Sequence, residues 1–237
     1  MENDGRIRVC GQRYKQRQES GKAGWADESA YAQKRNRIDA ILAEGRFHSS
    51  CRFLELGCGN GNVTLYMAQK GHEAYGVDIV PEAITWAKQQ ATRKRLHADF
   101  SVGNVVTLSA YGNDFFDIIF DANCLFMIIG KEREACVDSV CRVLKPGGIF
   151  YAEVHLVNEA IKQRMVFSGQ DYFDPEGQYS TVQGQPMYYF SREQEFVDLI
   201  KKAGLRILRQ EKEVPSPTHR DMPFCAGGMW VEATKPE

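Results

Sequence analysis

The sequence predicts a doubly wound α/β fold: a mostly parallel, seven-stranded sheet with helices on both faces and an antiparallel final strand. Short apolar runs alternate with helix-length amphipathic stretches between residues 50 and 155. Parallel neighbours need such crossover connections. The first apolar run ends in GCGNGN, a turn rich enough in glycine to let the chain reverse tightly into a helix. A length of 237 residues with 43% hydrophobic side chains fits a single domain, 1–237, able to bury a sizeable core.

The elements follow in order. Residues 1–45 read as a polar, Gly-interrupted arm to about Gly24, flexible or lid-like, and then a helix from Asp27 that places Tyr31, Ile38, Ile41 and Leu42 on one face and ends at Gly45. Residues 46–155 form the core. Its strands read at Arg52–Leu56, Ala74–Val77, His97–Val102, Phe116–Phe120 and Gly148–His155, with helices at Val63–Lys70, from Pro81, and at Lys131–Val143. Pro81 suits a first helical turn, where its missing N–H costs nothing. The triplet Arg93-Lys94-Arg95 closes that helix and complements its dipole, and KPGG at 145–148 is a turn. Residues 156–190 break the alternation with aromatic side chains among Gly, Gln and Asp, as expected of an insertion capping a ligand site. Residues 191–237 supply a closing helix, opened by the capping box Ser191-Arg-Glu-Gln194 and ended at Gly204, then strands at Leu205–Lys212 and Met229–Thr234.

A formal net charge of −1 disfavours nucleic acid as a partner, since phosphate binding wants a basic excess. The longest apolar run, Cys124–Ile129, is far too short to span a bilayer. No signal-peptide pattern opens the chain, so a cytoplasmic location without membrane contact is expected. The seven cysteines form no C-x-x-C pair and the five histidines are scattered, so no metal site is expected.

Ligands of doubly wound sheets bind at the carboxyl ends of the strands. There the chain places Glu55-Leu-Gly-Cys-Gly-Asn-Gly61, whose glycines permit close backbone approach to a ligand while the next helix aims its N–H groups at it. The spacing departs from the dinucleotide fingerprint, because Asn62 stands where the third glycine belongs. Asp78 closes the second strand, placed to accept from both hydroxyls of a ribose. E-x-G-x-G-x-G, this acidic residue, FSVGN at 100–104, FDIIFDANCLFMI at 116–128 and LKPGG at 144–148 occur in the order found in class I S-adenosylmethionine-dependent methyltransferases, which the chain resembles over residues 50–155.

The resemblance implies a Rossmann-like methyltransferase fold and a role for each matching position. Glu55 and the backbone of Gly57, Cys58, Gly59, Asn60 and Gly61 would bracket the methionine part of S-adenosylmethionine. Asp78 would hold the ribose and Ile79 would pack on the adenine. Asn104, where the family often has Asp, would pair with the adenine amino group, with the Val105 N–H on a ring nitrogen. Asp121 and Ala122 would fall beside the sulfonium, and Asn123, Cys124, Phe126 and Met127 along the exit toward the acceptor; core packing is the competing role for Cys124, Phe126 and Met127. SGKAGWADESAYAQKR resembles arms that fold over the cofactor, so Trp25 and Tyr31 would shield the sulfonium, and Lys34 or Arg37 would pair with the amino-acid carboxylate.

Methyl transfer is a direct displacement that needs alignment, exclusion of water and removal of any acceptor proton. His155 is the general-base candidate, against a purely structural histidine at a strand end. Tyr172, Tyr188 and Tyr189 are candidates to orient the acceptor. The expected activity is S-adenosylmethionine-dependent methylation of a small molecule. The alternatives are use of the aminocarboxypropyl chain with release of methylthioadenosine, non-catalytic binding of S-adenosylmethionine, and nicotinamide-dependent dehydrogenation.

Overall fold

Parallel strands covered on both faces need apolar side chains at successive positions, and β1, Arg52–Leu56, shows it: Phe53, Leu54 and Leu56 are all fully buried. The structure, a computed structural model, describes residues 4–45, 47, 50–213 and 223–237. Ahead of β1 lie α1 (Asp4–Glu19) and α2 (Glu28–Ala43). The core continues as α3 (Asn62–Gln69), β2 (Glu73–Asp78), α4 (Pro81–Lys94), β3 (Asp99–Val102), β4 (Phe116–Asp121), a 3-10 turn at Leu125–Met127, α5 (Glu132–Val143) and β5 (Leu144–Val157). Four short strands follow, β6 (Met165–Ser168), β7 (Asp171–Asp174), β8 (Tyr179–Val182) and β9 (Gln185–Tyr189), and the chain closes with α6 (Glu193–Lys202), β10 (Arg206–Glu213) and β11 (Cys225–Thr234).

The main sheet has the order β10-β11-β5-β4-β1-β2-β3. β5, β4, β1, β2 and β3 pair in parallel, and β11 runs antiparallel to both β5 and β10. Alternate side chains point to opposite faces. Leu54, Leu56 and Phe150 pack with Val137, Val140 and Phe196 of α5 and α6, while Phe53, Phe120 and Tyr151 pack with Ile38, Ile41, Val63 and Met67 of α2 and α3. The predicted class, sheet and antiparallel last strand are those observed. Among the described residues no helix is long and apolar enough to cross a membrane.

Several elements differ from expectation. Residues 4–19, read as an arm, form a helix that docks on α4: Val9, Cys10 and Tyr14 are buried against Val80, Ala83 and Trp86. The glycines read as interruptions are packing positions. A Cβ on Gly11 would lie 2.8 Å from Glu82 Oε2, and one on Gly5 2.5 Å from Gln185 Oε1. β3 begins at Asp99 instead of His97. KPGG lies inside β5 as a register break, where Phe116 pairs with Leu144 and Ile118 with Ile149. The segment expected to cap the site is an antiparallel sheet of its own, order β6-β7-β8-β9. The capping box at Ser191 does not form: Arg192 is the N-cap without a side-chain bond, and Ser191 Oγ instead accepts from Arg133 Nη2 at 2.8 Å. The predicted loop between the last strands lies, over residues 214–222, outside the described residues.

Candidate active site

A cavity of about 670 Å³ lies at the carboxyl ends of β1, β2 and β4, closed from above by α1, the start of α2 and β9. One end is the glycine-rich turn. Gly57, Gly59 and Gly61 have φ of 60, 53 and 78°, the left-handed region that a side chain strains. Space forbids a side chain as well, since a Cβ on Gly59 would meet Tyr14 Oη at 2.7 Å and one on Gly61 would meet Phe100 at 2.5 Å. Gly61 is also the N-cap of α3, so the positive end of that helix closes this side.

Three buried carboxylates surround the turn, and each grips backbone. Glu55 Oε2 accepts from Thr64 N at 2.8 Å and Thr64 Oγ1 at 2.5 Å. Asp78 accepts from Gly59 N and Val80 N, both at 2.9 Å, tying the glycine turn to β2. Asp121 Oδ1 accepts from Cys124 N at 2.5 Å and Leu125 N at 3.2 Å, and so shapes the turn after β4. Burial raises all three above the usual carboxylate range, Glu55 to about 8, Asp121 to about 7 and Asp78 to about 6. The charge of Lys34 opposes the rise in Glu55 and Asp121. Lys34 Nζ is buried at the cavity without a hydrogen-bond partner. A buried ammonium without such a bond is costly, and its position suits an incoming carboxylate.

The other end is aromatic. Phe126 stacks on Tyr188 at 5.1 Å between centroids and lies 4.1 Å from the His155 ring. Above them α1 brings Arg13, whose Nη1 donates to Tyr188 Oη at 3.1 Å and whose guanidinium sits 4.2 Å over the Trp25 ring. Arg6 Nη2 donates to the Met127 carbonyl. Between the two ends Asn123 holds φ at 75°, strained for a residue with a side chain, and its Oδ1 is buried without a hydrogen-bond partner.

Most of the residues singled out from the sequence line this one cavity: Trp25, Tyr31, Lys34, Glu55, Gly57, Cys58, Gly59, Asp78, Ile79, Asn104, Val105, Ala122, Asn123, Cys124, Phe126, Met127, His155 and Tyr188. Asn104 already accepts from Val106 N at 2.9 Å through Oδ1. Cys58 and Cys124 have thiols pushed well up by burial, which argues against either as a nucleophile. Six expected residues lie off the cavity wall, among them Arg37, which pairs with Glu213 at 3.1 Å. Asn60 donates to the Ala23 carbonyl, pinning the arm; Gly61 packs against Phe100; and Asp121 spends its carboxylate on backbone. Tyr172 stacks under Arg164, and Tyr189 donates to Glu195 Oε1 at 2.5 Å while Arg133 lies over its ring. Tyr189 alternates with Tyr188 on β9 and so faces away, whereas β7, which carries Tyr172, contributes no residue to the wall. The reading from sequence missed Arg6, Cys10, Arg13, Tyr14 and Arg17, all of α1 and all on the wall. Their spacing of three and four along the chain was the available signal.

The model of the family described as "Methyltransferase domain" matches residues 54–152. A 2-heptyl-1-hydroxyquinolin-4(1H)-one methyltransferase of Mycobacteroides abscessus is 32% identical over 108 residues, 45% of this chain and 46% of that protein. The chain spans about half or less of the length of the curated relatives it matches first. A solved S-adenosylmethionine-dependent methyltransferase of Methanosarcina mazei superposes with a TM-score of 0.65 at 25% identity, over 82% of this chain and 97% of that one. A Burkholderia thailandensis 1,6-didemethyltoxoflavin N1-methyltransferase, solved with 1,6-didemethyltoxoflavin and S-adenosylhomocysteine, shares the fold at a TM-score of 0.69 and 21% identity, over 98% and 87%. With the family model on the core strands and the ordered motifs gathered around one cavity, residues 54–152 form a methyltransferase domain of the class I S-adenosylmethionine-dependent type.

Proposed function

We propose that the chain methylates a small molecule by direct displacement at the sulfonium of S-adenosylmethionine. The observation that carries this reading is the single cavity with two unlike ends, glycine turn and acids at one, aromatic rings at the other. The residues fit the cofactor: a turn without room for side chains, an acid at the end of β2, and a buried Lys34 Nζ lacking a hydrogen bond. When bound, S-adenosylmethionine supplies a methyl group on a positive sulphur, a good electrophile.

The rest of the work falls to the chain. Lys34 binds the amino-acid carboxylate, and Asp78, held by the Gly59 and Val80 backbone, binds the ribose hydroxyls. Trp25 and Tyr31 shield the cation with ring faces. Asn123, at the junction of the two ends, offers its unpartnered Oδ1 to a donor on the acceptor. His155 takes the proton of an acceptor that arrives neutral. Closing the cavity with α1 excludes water, which would compete for the methyl group. The small-molecule relatives named above support a small acceptor, as does a cavity within the usual size range of ligand sites.

Mass spectrometry of purified protein with S-adenosylmethionine and a panel of small acceptors tests the proposal. S-adenosylhomocysteine rising with a singly methylated acceptor is the expected result. Methylthioadenosine rising above the enzyme-free control overturns it, because the carbon chain would then be the group consumed.

A further inference from the structure

The two ends of the cavity carry different ionisable groups. Its glycine-rich end carries Glu55 and Asp78 on the wall, with Asp121 behind; Lys34 faces Glu55 and Asp121, and Arg17 on the same wall is paired with Asp27. Its aromatic end carries two guanidinium groups from one face of α1, Arg6 and Arg13, two turns apart. Among the described residues neither forms an ion pair: Arg6 bonds the Met127 carbonyl, and Arg13 bonds the neutral hydroxyl of Tyr188. Glu132 also lines this end, and its charge reaches Arg6. The field of Arg6 is felt at Cys124 and that of Arg13 at Tyr188.

Both arginines are half-buried, and among the described residues neither has a carboxylate within bonding distance to occupy its donors. Burial works against the charge on Arg6. Each guanidinium has five N–H donors, most of them unspent here, in a fork that matches an anion. Beside them Phe126 and Tyr188 lie nearly parallel, 14° apart, and present a flat apolar wall. Their centroids are 5.1 Å apart, which leaves no gap for a ring between them; a ligand must lie along the wall.

Resting on the methyltransferase reading, we infer that the acceptor is a planar aromatic anion, its ring against Phe126 and Tyr188 and its carboxylate or ring-stabilised oxyanion held by Arg6 and Arg13. The anionic group then lies beside the arginines, and the cofactor beside the acidic end. In the transfer, an electron pair of the ionised acceptor forms the new bond to the methyl carbon as the carbon–sulphur bond breaks, its electrons going to sulphur. The positive charge on sulphur and the negative charge of the acceptor vanish together when the anionic group is itself the nucleophile, and no proton moves.

The test is calorimetric binding to the intact chain saturated with S-adenosylhomocysteine, using 2-naphthoate, 2-naphthamide and cyclohexanecarboxylate as probes. Binding of 2-naphthoate about tenfold or more tighter than either other probe is expected, from the charge-assisted bonds and ring contact the others lack. Arg6→Met and Arg13→Met should each remove about tenfold of that affinity, while S-adenosylhomocysteine affinity and far-UV dichroism stay at the parental values. Arg6→Lys and Arg13→Lys, which keep the charge, serve as folding-matched controls and should recover part of the loss. Equal binding of the three probes, no binding of 2-naphthoate, or unchanged binding in the methionine variants overturns the inference. Failure of S-adenosylhomocysteine itself to bind instead overturns the methyltransferase reading.

Discussion

At the glycine-rich end of the cavity the gripping bonds are short in sequence. Asp78 holds the backbone of Val80 two residues on, and Glu55 that of Thr64 nine residues on. At the aromatic end Arg6 reaches Met127 across 121 positions and Arg13 reaches Tyr188 across 175. The first end is written into a strand, a turn and a helix that adjoin in the chain. The second exists only once α1, the turn after β4, β5 and the capping sheet have come together. A short-range site can be disturbed one residue at a time, whereas a long-range site depends on the joints between its parts.

The largest effect should come from the short-range end. Asp78→Ala removes the acceptor for Gly59 N and Val80 N together with the proposed ribose partner, and should weaken S-adenosylhomocysteine binding about a hundredfold in calorimetry. Parental affinity would break the site assignment. The matching test of the long-range end is Arg133, 3% exposed, which donates to the Leu125 and Ile128 carbonyls and to Ser191 Oγ and so fastens the turn after β4 to the segment leaving the capping sheet. Arg133→Met strands those acceptors, and urea unfolding should show a loss of about 3 kcal/mol. A loss under about 1 kcal/mol would mean that the joint is held by packing instead.

A smaller effect separates the ends by pH. The folded chain holds the Glu55 proton up to about 8 against an ordinary 4.5. Between those values the unfolded chain has already released its proton, so the stability this group contributes is present below about pH 4.5 and is lost as pH rises toward 8. Glu55→Gln should flatten the fall in ligand-free stability between about pH 5.5 and about pH 7 by about 2 kcal/mol, followed by thermal unfolding at stepped pH. An unchanged slope would place the titration elsewhere. The smallest effect is expected at Gly11→Ala: the new Cβ meets only the mobile end of Glu82, and the gain in helix propensity offsets it, leaving a change within about 1 kcal/mol. A loss beyond about 2 kcal/mol would show that α1 tolerates no adjustment against α4.

The same division governs what the sequence made legible. β1, its glycine turn and Asp78 were readable because strand periodicity, positive φ and a strand-end acid are local signals, and the parallel sheet followed from their alternation. The helical residues 4–19 were not, since Gly5 and Gly11 mimic breaks and become explicable only when Gln185 and Glu82 are seen beside them. Ser191 has the spacing of a capping box, yet its hydroxyl serves Arg133, 58 positions away. Tyr172 and Tyr189 could not be sorted from Tyr188 by composition; alternation along β9 sorts Tyr189, and the place of β7 away from the wall sorts Tyr172, both of which emerged only with the four-stranded sheet. Arg6 and Arg13 were invisible as site residues for the same reason as α1 itself.

The glycine-rich end is built largely of main chain and of acids committed to holding that main chain. Drift there has little to work with, because nearly every substitution adds a Cβ where none fits or unhooks a turn. The aromatic end is composed of side chains, Arg6, Arg13, Met127, Val182 and Tyr188, standing on elements whose backbones would survive their exchange. Side-chain exchange can therefore reshape the aromatic end while the glycine-rich end keeps its form, and the surface where such exchange would act first is the buried face of the first helix.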